Sequence, residues 1–309
     1  MTVFITGSSG FIASHLVNKL KQEHRVVALI HDDVPSRWLD EVYEGTIKVK
    51  GDIRDQGLVR RILNQYDVTE VFHLAALAKV KQAYKDPVNV FDINVMGTVS
   101  ILEACRQLEV KKTTVLITDK VYGEKIEATE EDRLQSSEPY ATSKACAQFV
   151  AESYRNTYNM DILIPHSCNA FGLDLQSNRL FTNTIKDCLR GVSPLIFRND
   201  RSIREYIYIN DLVEALNTLM YDTAVSSEPT GIYNISTGWV FNQMDIVLKI
   251  LERFPKIHPK YIEAKLPMQI QEQTMKSINW EWKPSWTLDK AIDKTIELFK
   301  LYEKDWNWK

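Results

Sequence analysis

The sequence predicts an α/β protein built on a doubly wound parallel sheet, with a smaller α/β domain attached to it. Short apolar segments with the length of buried strands alternate with helical patterns through the first half of the chain. A glycine-rich turn directly follows the first of these segments. From about Asn169 the predicted elements become shorter and aromatic residues gather. A chain of 309 residues has room for one large domain and a smaller appendage.

The first predicted strand and helix flank the glycine-rich turn. Residues 3–5 (Val-Phe-Ile) are apolar, and a helix is predicted from about residue 11 to residue 22. Gly7 and Gly10 permit a tight turn and a close approach of the backbone to a pyrophosphate, while the small Ala13 takes the third position of G-x-x-G-x-x-G. The helix aims its first N–H groups at that phosphate. We therefore predict a dinucleotide site whose residues here are Gly7, Ser9, Gly10, Phe11 and Ile12.

The elements that follow keep the alternation of strand and helix. Further strands are predicted at residues 26–30, 47–50, 70–74, 114–118 and 161–165, with helices at 56–65, 87–108 and 140–158. This pattern predicts a Rossmann-type domain formed by residues 1–168 and 206–237, and a substrate-capping domain formed by residues 169–205 and 238–309.

Chemically active side chains follow the predicted strand at 114–118. Tyr140 and Lys144 lie one helical turn apart, so that the lysine cation is expected to stabilise tyrosinate and to lower the pKa of Tyr140 toward the range of a base. Thr118, Asp119 and Lys120 stand at the end of the strand and add an acid and a second base. A solvated loop pair is the alternative interpretation of Asp119 and Lys120, but the carboxyl end of a parallel strand favours a catalytic one.

Composition narrows the classes of function. Lys+Arg 38 against Asp+Glu 41 gives a net charge of −3 without a basic cluster, which argues against nucleic acid as a partner. No apolar run is expected to reach the roughly 20 residues that span a bilayer. The first strand begins almost at residue 1, so we predict no leader sequence and a cytoplasmic protein. We also expect free thiols and no metal site, because the cysteines and histidines lack ligand spacing.

Beyond these motifs the chain resembles the extended short-chain dehydrogenase/reductase family, which includes the NAD-dependent nucleotide-sugar epimerases and dehydratases. Segments 51–55 (Gly-Asp-Ile-Arg-Asp), 73–76 (His-Leu-Ala-Ala), 94–98, 169–172 (Asn-Ala-Phe-Gly) and 204–211 are similar to family motifs. The resemblance implies further dinucleotide contacts from Asp52, Ile53, Leu74, Ala75, Ala76 and Asn94. It implies contacts to a nucleotide sugar from Ala78, Asn169, Asn183 and Arg204.

The resemblance also implies a reaction. Thr118-Asp119-Lys120 looks like the corresponding segment of CDP-glucose and UDP-N-acetylhexosamine dehydratases. Segments 198–204 and 282–288 look like those of the CDP-glucose dehydratases. By this resemblance Tyr140 takes the C4 hydroxyl proton, Lys120 the C5 proton, and Asp119 protonates the departing C6 hydroxyl, as in deoxysugar biosynthesis. The short segment between Lys120 and Tyr140 makes UDP-GlcNAc as plausible as CDP-glucose, and a 5,6-alkene product is an open variant. A 4-epimerase or 4-reductase and a non-catalytic NAD(P) sensor are the alternatives.

The choice of dinucleotide depends on the end of the second strand. Family members that bind NAD usually have an aspartate there, whereas this chain has His31 after Ile30. His31 and Arg37 are suited to hold a 2′-phosphate, so the sequence favours NADP over NAD. Asp32 or Asp33 would favour NAD if the register slips by two.

The two longest predicted helices also bear on assembly. In the family such helices commonly form a four-helix bundle between two subunits, and the stretches 87–108 and 140–158 correspond to them. Both have an apolar surface wider than one contact with the sheet requires. We therefore expect a homodimer.

Overall fold

The computed structural model describes residues 1–175, 179–198, 200, 202–263 and 272–306. Its strands in chain order are β1 (Thr2–Thr6), β2 (Arg25–Ile30), β3 (Ile47–Lys50), β4 (Glu70–His73), β5 (Lys112–Val115), β6 (Ile117–Thr118), β7 (Lys125–Ala128), β8 (Ile162–Ser167), β9 (Asn169–Phe171), β10 (Leu195–Phe197), β11 (Ile203–Tyr208), β12 (Ile232–Ile235), β13 (Val240–Asn242), β14 (Lys260–Ile262) and β15 (Glu272–Met275).

The α-helices are α1 (Phe11–Leu20), α2 (Arg37–Tyr43), α3 (Gln56–Gln65), α4 (Val80–Lys85), α5 (Pro87–Phe91), α6 (Gly97–Gln107), α7 (Pro139–Tyr158), α8 (Leu180–Leu189), α9 (Ile209–Tyr221), α10 (Gln243–Leu251), α11 (Leu288–Leu301) and α12 (Glu303–Trp306). A π-helical stretch, Asp92–Met96, joins α5 to α6, and a 3₁₀ turn, Asp119–Tyr122, follows β6.

A parallel sheet in the order β3-β2-β1-β4-β5-β8-β12, with β6 beside β8, forms the body of the protein. Helices cover both faces, so alternate residues of one strand enter different cores. Val3 and Ile5 of β1 pack with Leu16 of α1, whereas Phe4 packs with Val59 of α3 and Ile101 of α6. Strands β1, β2 and β8 are buried along nearly their whole length because helices cover both faces of the sheet. This confirms the fold class that the sequence predicts.

A second sheet, in the order β13-β11-β15-β7 with β9 beside β11, stands next to the first. Strand β7 belongs to the N-terminal half of the chain and pairs with β15 near the C-terminus. Strands β10 and β14 pair separately. Within the stretch 206–237, β12 joins the large sheet while β11 pairs with β9, β13 and β15. The domain boundaries given above stay a prediction.

Several predicted elements differ in detail from the structure. The first helix ends at Leu20, and the predicted strand at 114–118 is two strands that are interrupted at Leu116. Within segment 198–204, Asn199 and Arg201 lie outside the described residues. Pro87–Gln107 is long and apolar enough to cross a bilayer by length and composition alone, contrary to expectation, but half of it is buried in the fold, as in a core helix.

Candidate active site

The glycine-rich turn lies between β1 and α1, where the strand order of the large sheet reverses. Gly7 has a φ of +71°, and a Cβ there would lie 2.8 Å from the Cα of Ala75, so only glycine allows β1 and the loop after β4 to approach so closely. Gly10 caps α1 without a side-chain hydrogen bond, which leaves the first-turn N–H groups available to an anion. These features fit a dinucleotide pyrophosphate.

The loop after β3 holds Asp52 and Ile53, which the family resemblance assigns to the dinucleotide. The Asp52 carboxylate accepts hydrogen bonds from the backbone N–H of Arg54 (2.8 Å) and from its guanidinium, which lowers the pKa of Asp52. Arg54 also donates to Asp92 of the π-helical stretch. Ile53 is buried and packs directly against Gly97, so closely that a Cβ on residue 97 would clash with it. Asp52 and Ile53 are therefore held firmly at the rim of the sheet.

His31 and Arg37, the residues predicted to bind a 2′-phosphate, have carboxylate partners in the structure. The Nδ1 atom of His31 lies 3.0 Å from Asp32, and the Nε atom of Arg37 donates to Glu41 at 2.9 Å. Arg37 also stacks over the ring of Tyr302, 5.6 Å from its centroid. Each of these two side chains therefore has an acidic neighbour.

Tyr140 and Lys144 are buried on the first turns of α7, the helix that Glu138 caps by accepting from the backbone N–H groups of Tyr140 and Ala141. Burial raises the pKa of Tyr140 to about 12; Arg179 opposes this rise and the charge of Asp119 adds to it. Burial lowers the pKa of Lys144 to about 8. The expectation that Lys144 brings down the pKa of Tyr140 is therefore wrong for the protein without ligands, because loss of water around the phenol outweighs the charges.

The Asp119 side chain is buried at the start of the 3₁₀ turn and is only 2% exposed. Its Oδ1 atom accepts a hydrogen bond from the Thr118 hydroxyl at 2.9 Å, and the Lys120 Nζ atom lies 4.0 Å from the same oxygen. The Oδ2 atom has no hydrogen-bond partner among the residues that the structure describes. Because Asp119 is not solvated, the interpretation as a surface loop pair is wrong for this residue.

Two arginines lie beside Asp119 and Tyr140. Arg204, on β11, is mostly buried; burial lowers its pKa and the nearby Asp119 opposes that shift. Arg179, just before α8, is close enough to Tyr140 to lower the pKa of the phenol, and its guanidinium lies over the ring of Phe11. Arg179 is not among the predicted site residues, because no sequence motif marks it. Asn169 is half-buried beside these groups and donates to the backbone carbonyl of Glu205.

Asn94 joins the loop after β4 to the catalytic helix. Its side chain accepts from the Leu77 N–H and donates to the Ser143 hydroxyl at 2.8 Å, and that hydroxyl donates to the Tyr140 carbonyl. Leu74, Ala75 and Ala76 lie in the same loop, and Ala78 is exposed at its end. These hydrogen bonds hold the loop after β4 next to the first turn of α7, which carries Tyr140.

A cavity of about 840 Å³ opens on the other side of the glycine-rich turn, where Ser9, Phe11, Arg37 and Asn183 are all part of its wall. Tyr140, Lys144 and Asp119 do not line it. The predicted site residues thus divide into two groups, and Asn183 lies on the cavity together with residues assigned to the dinucleotide. Within the described ranges, no three His, Cys, Asp or Glu side chains form a group able to hold a metal ion.

Comparison with known proteins agrees with this geometry. Residues 3–236 match the model of the NAD dependent epimerase/dehydratase family. The chain is 26% identical over 97% of its length to the low-salt glycan biosynthesis protein Agl12 of Haloferax volcanii, 98% of which is covered. It is also 26% identical over 99% of its length to dTDP-D-glucose 4,6-dehydratase of Homo sapiens, of which 91% is covered. It spans about half (48%) of a trifunctional UDP-glucose 4,6-dehydratase of Arabidopsis thaliana.

Solved structures agree as well. UDP-glucose 4-epimerase of Thermus thermophilus, in complex with NAD, has a TM-score of 0.87 and 26% identity, with 97% of this chain and 99% of that one covered. dTDP-glucose 4,6-dehydratase of Bacillus anthracis, also with NAD, shares the fold with a TM-score of 0.85 and 21% identity, and 99% of each chain is covered. The chain belongs to the NAD-dependent epimerase/dehydratase family.

Proposed function

We propose that the protein is a nucleotide-sugar 4,6-dehydratase, which removes the C6 hydroxyl of a nucleoside-diphosphate hexose as water after transient oxidation at C4. The observation that carries this proposal is the Asp119 carboxylate. It is buried next to Tyr140, and its Oδ2 atom has no partner in the described part of the chain. A buried polar atom without a partner is costly unless a ligand satisfies it. An epimerase needs no acid at this place, whereas a dehydratase needs one.

The proposed roles follow from the positions of the side chains. Tyr140 accepts the proton of the C4 hydroxyl, and Lys144, one turn further along α7, would stabilise the tyrosinate once the dinucleotide is bound, although it does not offset the effect of burial on the pKa of Tyr140 in the protein without ligands. A bound nicotinamide dinucleotide would take the hydride from C4 and return it to C6. Lys120, as the neutral amine, removes the C5 proton that the 4-ketone acidifies, and Asp119 gives its proton to the departing C6 oxygen. Lys120 then returns its proton to C5 as hydride reaches C6. Arg179 and Arg204 supply positive charge for a diphosphate.

The test is incubation of the protein with dTDP-glucose, UDP-glucose, CDP-glucose and UDP-GlcNAc, without added dinucleotide. The first two are the sugars named for its relatives, and the last two are those that the sequence favours. We expect mass spectrometry to find a product lighter by one water, either the 4-keto-6-deoxy sugar or its 5,6-alkene variant. An epimer formed without loss of water would replace the dehydratase with a 4-epimerase. No turnover of any of the four would favour a dinucleotide sensor.

For the dinucleotide we favour NAD over the NADP that the sequence indicates. Arg37 is paired with Glu41, and His31 lies between the carboxylates of Asp32 and Asp52. A 2′-phosphate placed there would meet these acidic groups as well as the cations. The measurement is the dissociation constant of each dinucleotide by calorimetry. Tighter binding of NADP would restore the original prediction.

We also propose that the protein is a homodimer. Val88 and Met96 on the 87–107 stretch and Phe149 on α7 are 80%, 53% and 57% exposed, which leaves apolar surface on the two helices that form such bundles in the family. Light scattering at micromolar concentrations should give twice the mass of 35.7 kDa. A mass near that of one chain would exclude the dimer.

A further inference from the structure

A buried chain of polar side chains connects the 3₁₀ turn that carries Asp119 and Lys120 to the helix that carries Tyr140 and Lys144. Tyr122 ends the turn and is 2% exposed. Its hydroxyl lies 2.7 Å from the Nδ1 atom of His166, on β8, and His166 itself is fully buried. The Nε2 atom of His166 lies 2.9 Å from the Oε1 atom of Gln148, one helical turn after Lys144.

Both ends of this chain have a fixed orientation. The amide nitrogen of Gln148 donates to Glu152 at 2.8 Å, so its oxygen faces His166. The amide nitrogen of Asn234 donates to the backbone carbonyls of Ala128 and Lys276, so its oxygen faces the Tyr122 hydroxyl at 2.9 Å. Two acceptors, one at each end, therefore face the pair formed by Tyr122 and His166.

A count of protons selects one tautomer of the ring. Burial, together with the nearby Lys144 cation, lowers the pKa of His166 to about 3, so the ring is neutral and carries a single N–H. If that proton is on Nε2, it reaches Gln148, and the Tyr122 hydroxyl donates a three-centre hydrogen bond to Nδ1 and to Asn234. If it is on Nδ1, Nε2 and the Gln148 oxygen face each other with no proton between them. Only the Nε2–H tautomer satisfies every acceptor.

We propose that His166, as the Nε2–H tautomer, is a positioning residue that holds the Asp119–Lys120 turn at a set distance from the catalytic helix through Tyr122 and Gln148. This rests on the proposed dehydratase function, in which groups on the turn act at C5 and C6 while groups on the helix act at C4. The two steps use one sugar ring, so the turn and the helix must keep their spacing. A misplacement of about 1 Å costs on the order of 100-fold in rate.

The first test concerns the tautomer and does not depend on activity. Nitrogen-15 NMR of the histidine-labelled protein, with the His166 signal assigned by its absence in His166→Gln or by its shift in Tyr122→Phe, should find the proton on Nε2 at neutral pH. A proton on Nδ1, or on both nitrogens, would overturn the proposal. This result holds whether or not the protein proves to be a dehydratase.

The second test compares two buried tyrosines. Tyr122→Phe removes the hydroxyl that contacts His166, whereas Tyr208→Phe removes a buried hydroxyl that has no partner among the described residues. On the substrate that loses water, we expect kcat of Tyr122→Phe to fall about 10- to 100-fold with KM little changed. Absorbance of reduced nicotinamide should accumulate during turnover, because removal of the C5 proton slows while oxidation at C4 continues.

Gln148→Met removes the hydrogen bond between Gln148 and His166, so it should lower kcat as Tyr122→Phe does. Tyr208→Phe should behave like the unaltered protein. Wild-type kcat in both Tyr122→Phe and Gln148→Met would overturn the proposal. It would also be overturned if oxidation at C4 and removal of the C5 proton slowed by the same factor. If the unaltered protein loses water from no sugar, the proposed function fails instead, and the tautomer measurement separates that outcome from failure of this inference.

Discussion

Two buried carboxylates, one on an inner strand of the second sheet and one directly after a strand of the large sheet, have opposite surroundings. Glu205, on β11 of the second sheet, is fully buried and accepts from the Ser236 hydroxyl and from the backbone N–H groups of Thr237, Gly238 and Met275, at 2.6–3.0 Å. Asp119, at the end of β6, accepts from the Thr118 hydroxyl through one oxygen, and its other oxygen has no partner in the described ranges. Both carboxylate oxygens of Glu205 have hydrogen-bond donors, as a buried structural carboxylate requires. The Oδ2 atom of Asp119 lacks a donor, and because Asp119 also lies beside Tyr140 this difference indicates a residue kept for a ligand.

The largest effect that this contrast predicts is on activity. Asp119→Asn removes the proposed proton donor but keeps the shape of the side chain, so we expect kcat for loss of water to fall by about 10²- to 10⁴-fold. The midpoint of urea unfolding should not decrease. Asp211→Asn is the matched control: Asp211 is also buried and its Oδ2 atom also lacks a partner among the described residues, but its Oδ1 atom accepts from Ser285 and it lies near Tyr208 rather than Tyr140. Retention of dehydratase turnover by Asp119→Asn would remove the distinction between the two carboxylates.

The opposite result is expected at Glu205. Glu205→Gln replaces a charged acceptor of several short hydrogen bonds with an amide whose NH₂ faces N–H donors, so the free energy of unfolding should fall by about 3–5 kcal/mol. The remaining activity should follow the folded fraction. Glu214→Gln, at a half-exposed surface ion pair with Lys19, should stay within about 0.5 kcal/mol of the wild type. A stable but inactive Glu205→Gln would mean that Glu205 belongs to the chemistry.

The comparison extends to a buried cation, Lys144, for which we expect a smaller effect on the free energy of unfolding. The pKa of Lys144 is lowered from 10.5 to about 8, so the unfolded chain binds the proton more tightly than the native protein does. Native stability therefore carries a penalty below pH 8 that is relieved as the pH rises from about 8 to 10.5. Lys144→Met should raise the free energy of unfolding at pH 7 by as much as about 3 kcal/mol.

The gain from Lys144→Met should shrink as the pH approaches 10.5. The measurement is urea unfolding at several pH values on protein freed of dinucleotide, because a bound ligand would add its own stabilisation. A gain independent of pH would mean that packing of the methionine, rather than the charge, is responsible.

Local patterns carried most of the correct sequence predictions. The glycine-rich turn, the Tyr140–Lys144 spacing and the strands of the large sheet each depend on residues close together in the chain, and, apart from β12 and the division of the strand at 114–118, the structure has them close to where they were expected. The features that the sequence did not predict depend on residues that are far apart in the sequence. The pairing of β7 with β15 joins segments with no shared pattern, and Arg179 approaches Tyr140 only through the fold. The pKa of Tyr140 was misjudged because burial cannot be read from the spacing of two residues.

The pairing of β7 with β15 has a consequence for how the protein is made. Nearly half of the chain separates the two strands, so β7 leaves the ribosome about ten to thirty seconds before its partner exists. Until then the second sheet lacks its inner strand, and β7 is an unpaired edge able to join another nascent chain. Contacts between such distant segments also form slowly because a long loop must close first. The large sheet is therefore expected to form before the second sheet, which is complete only once β15 has been synthesised.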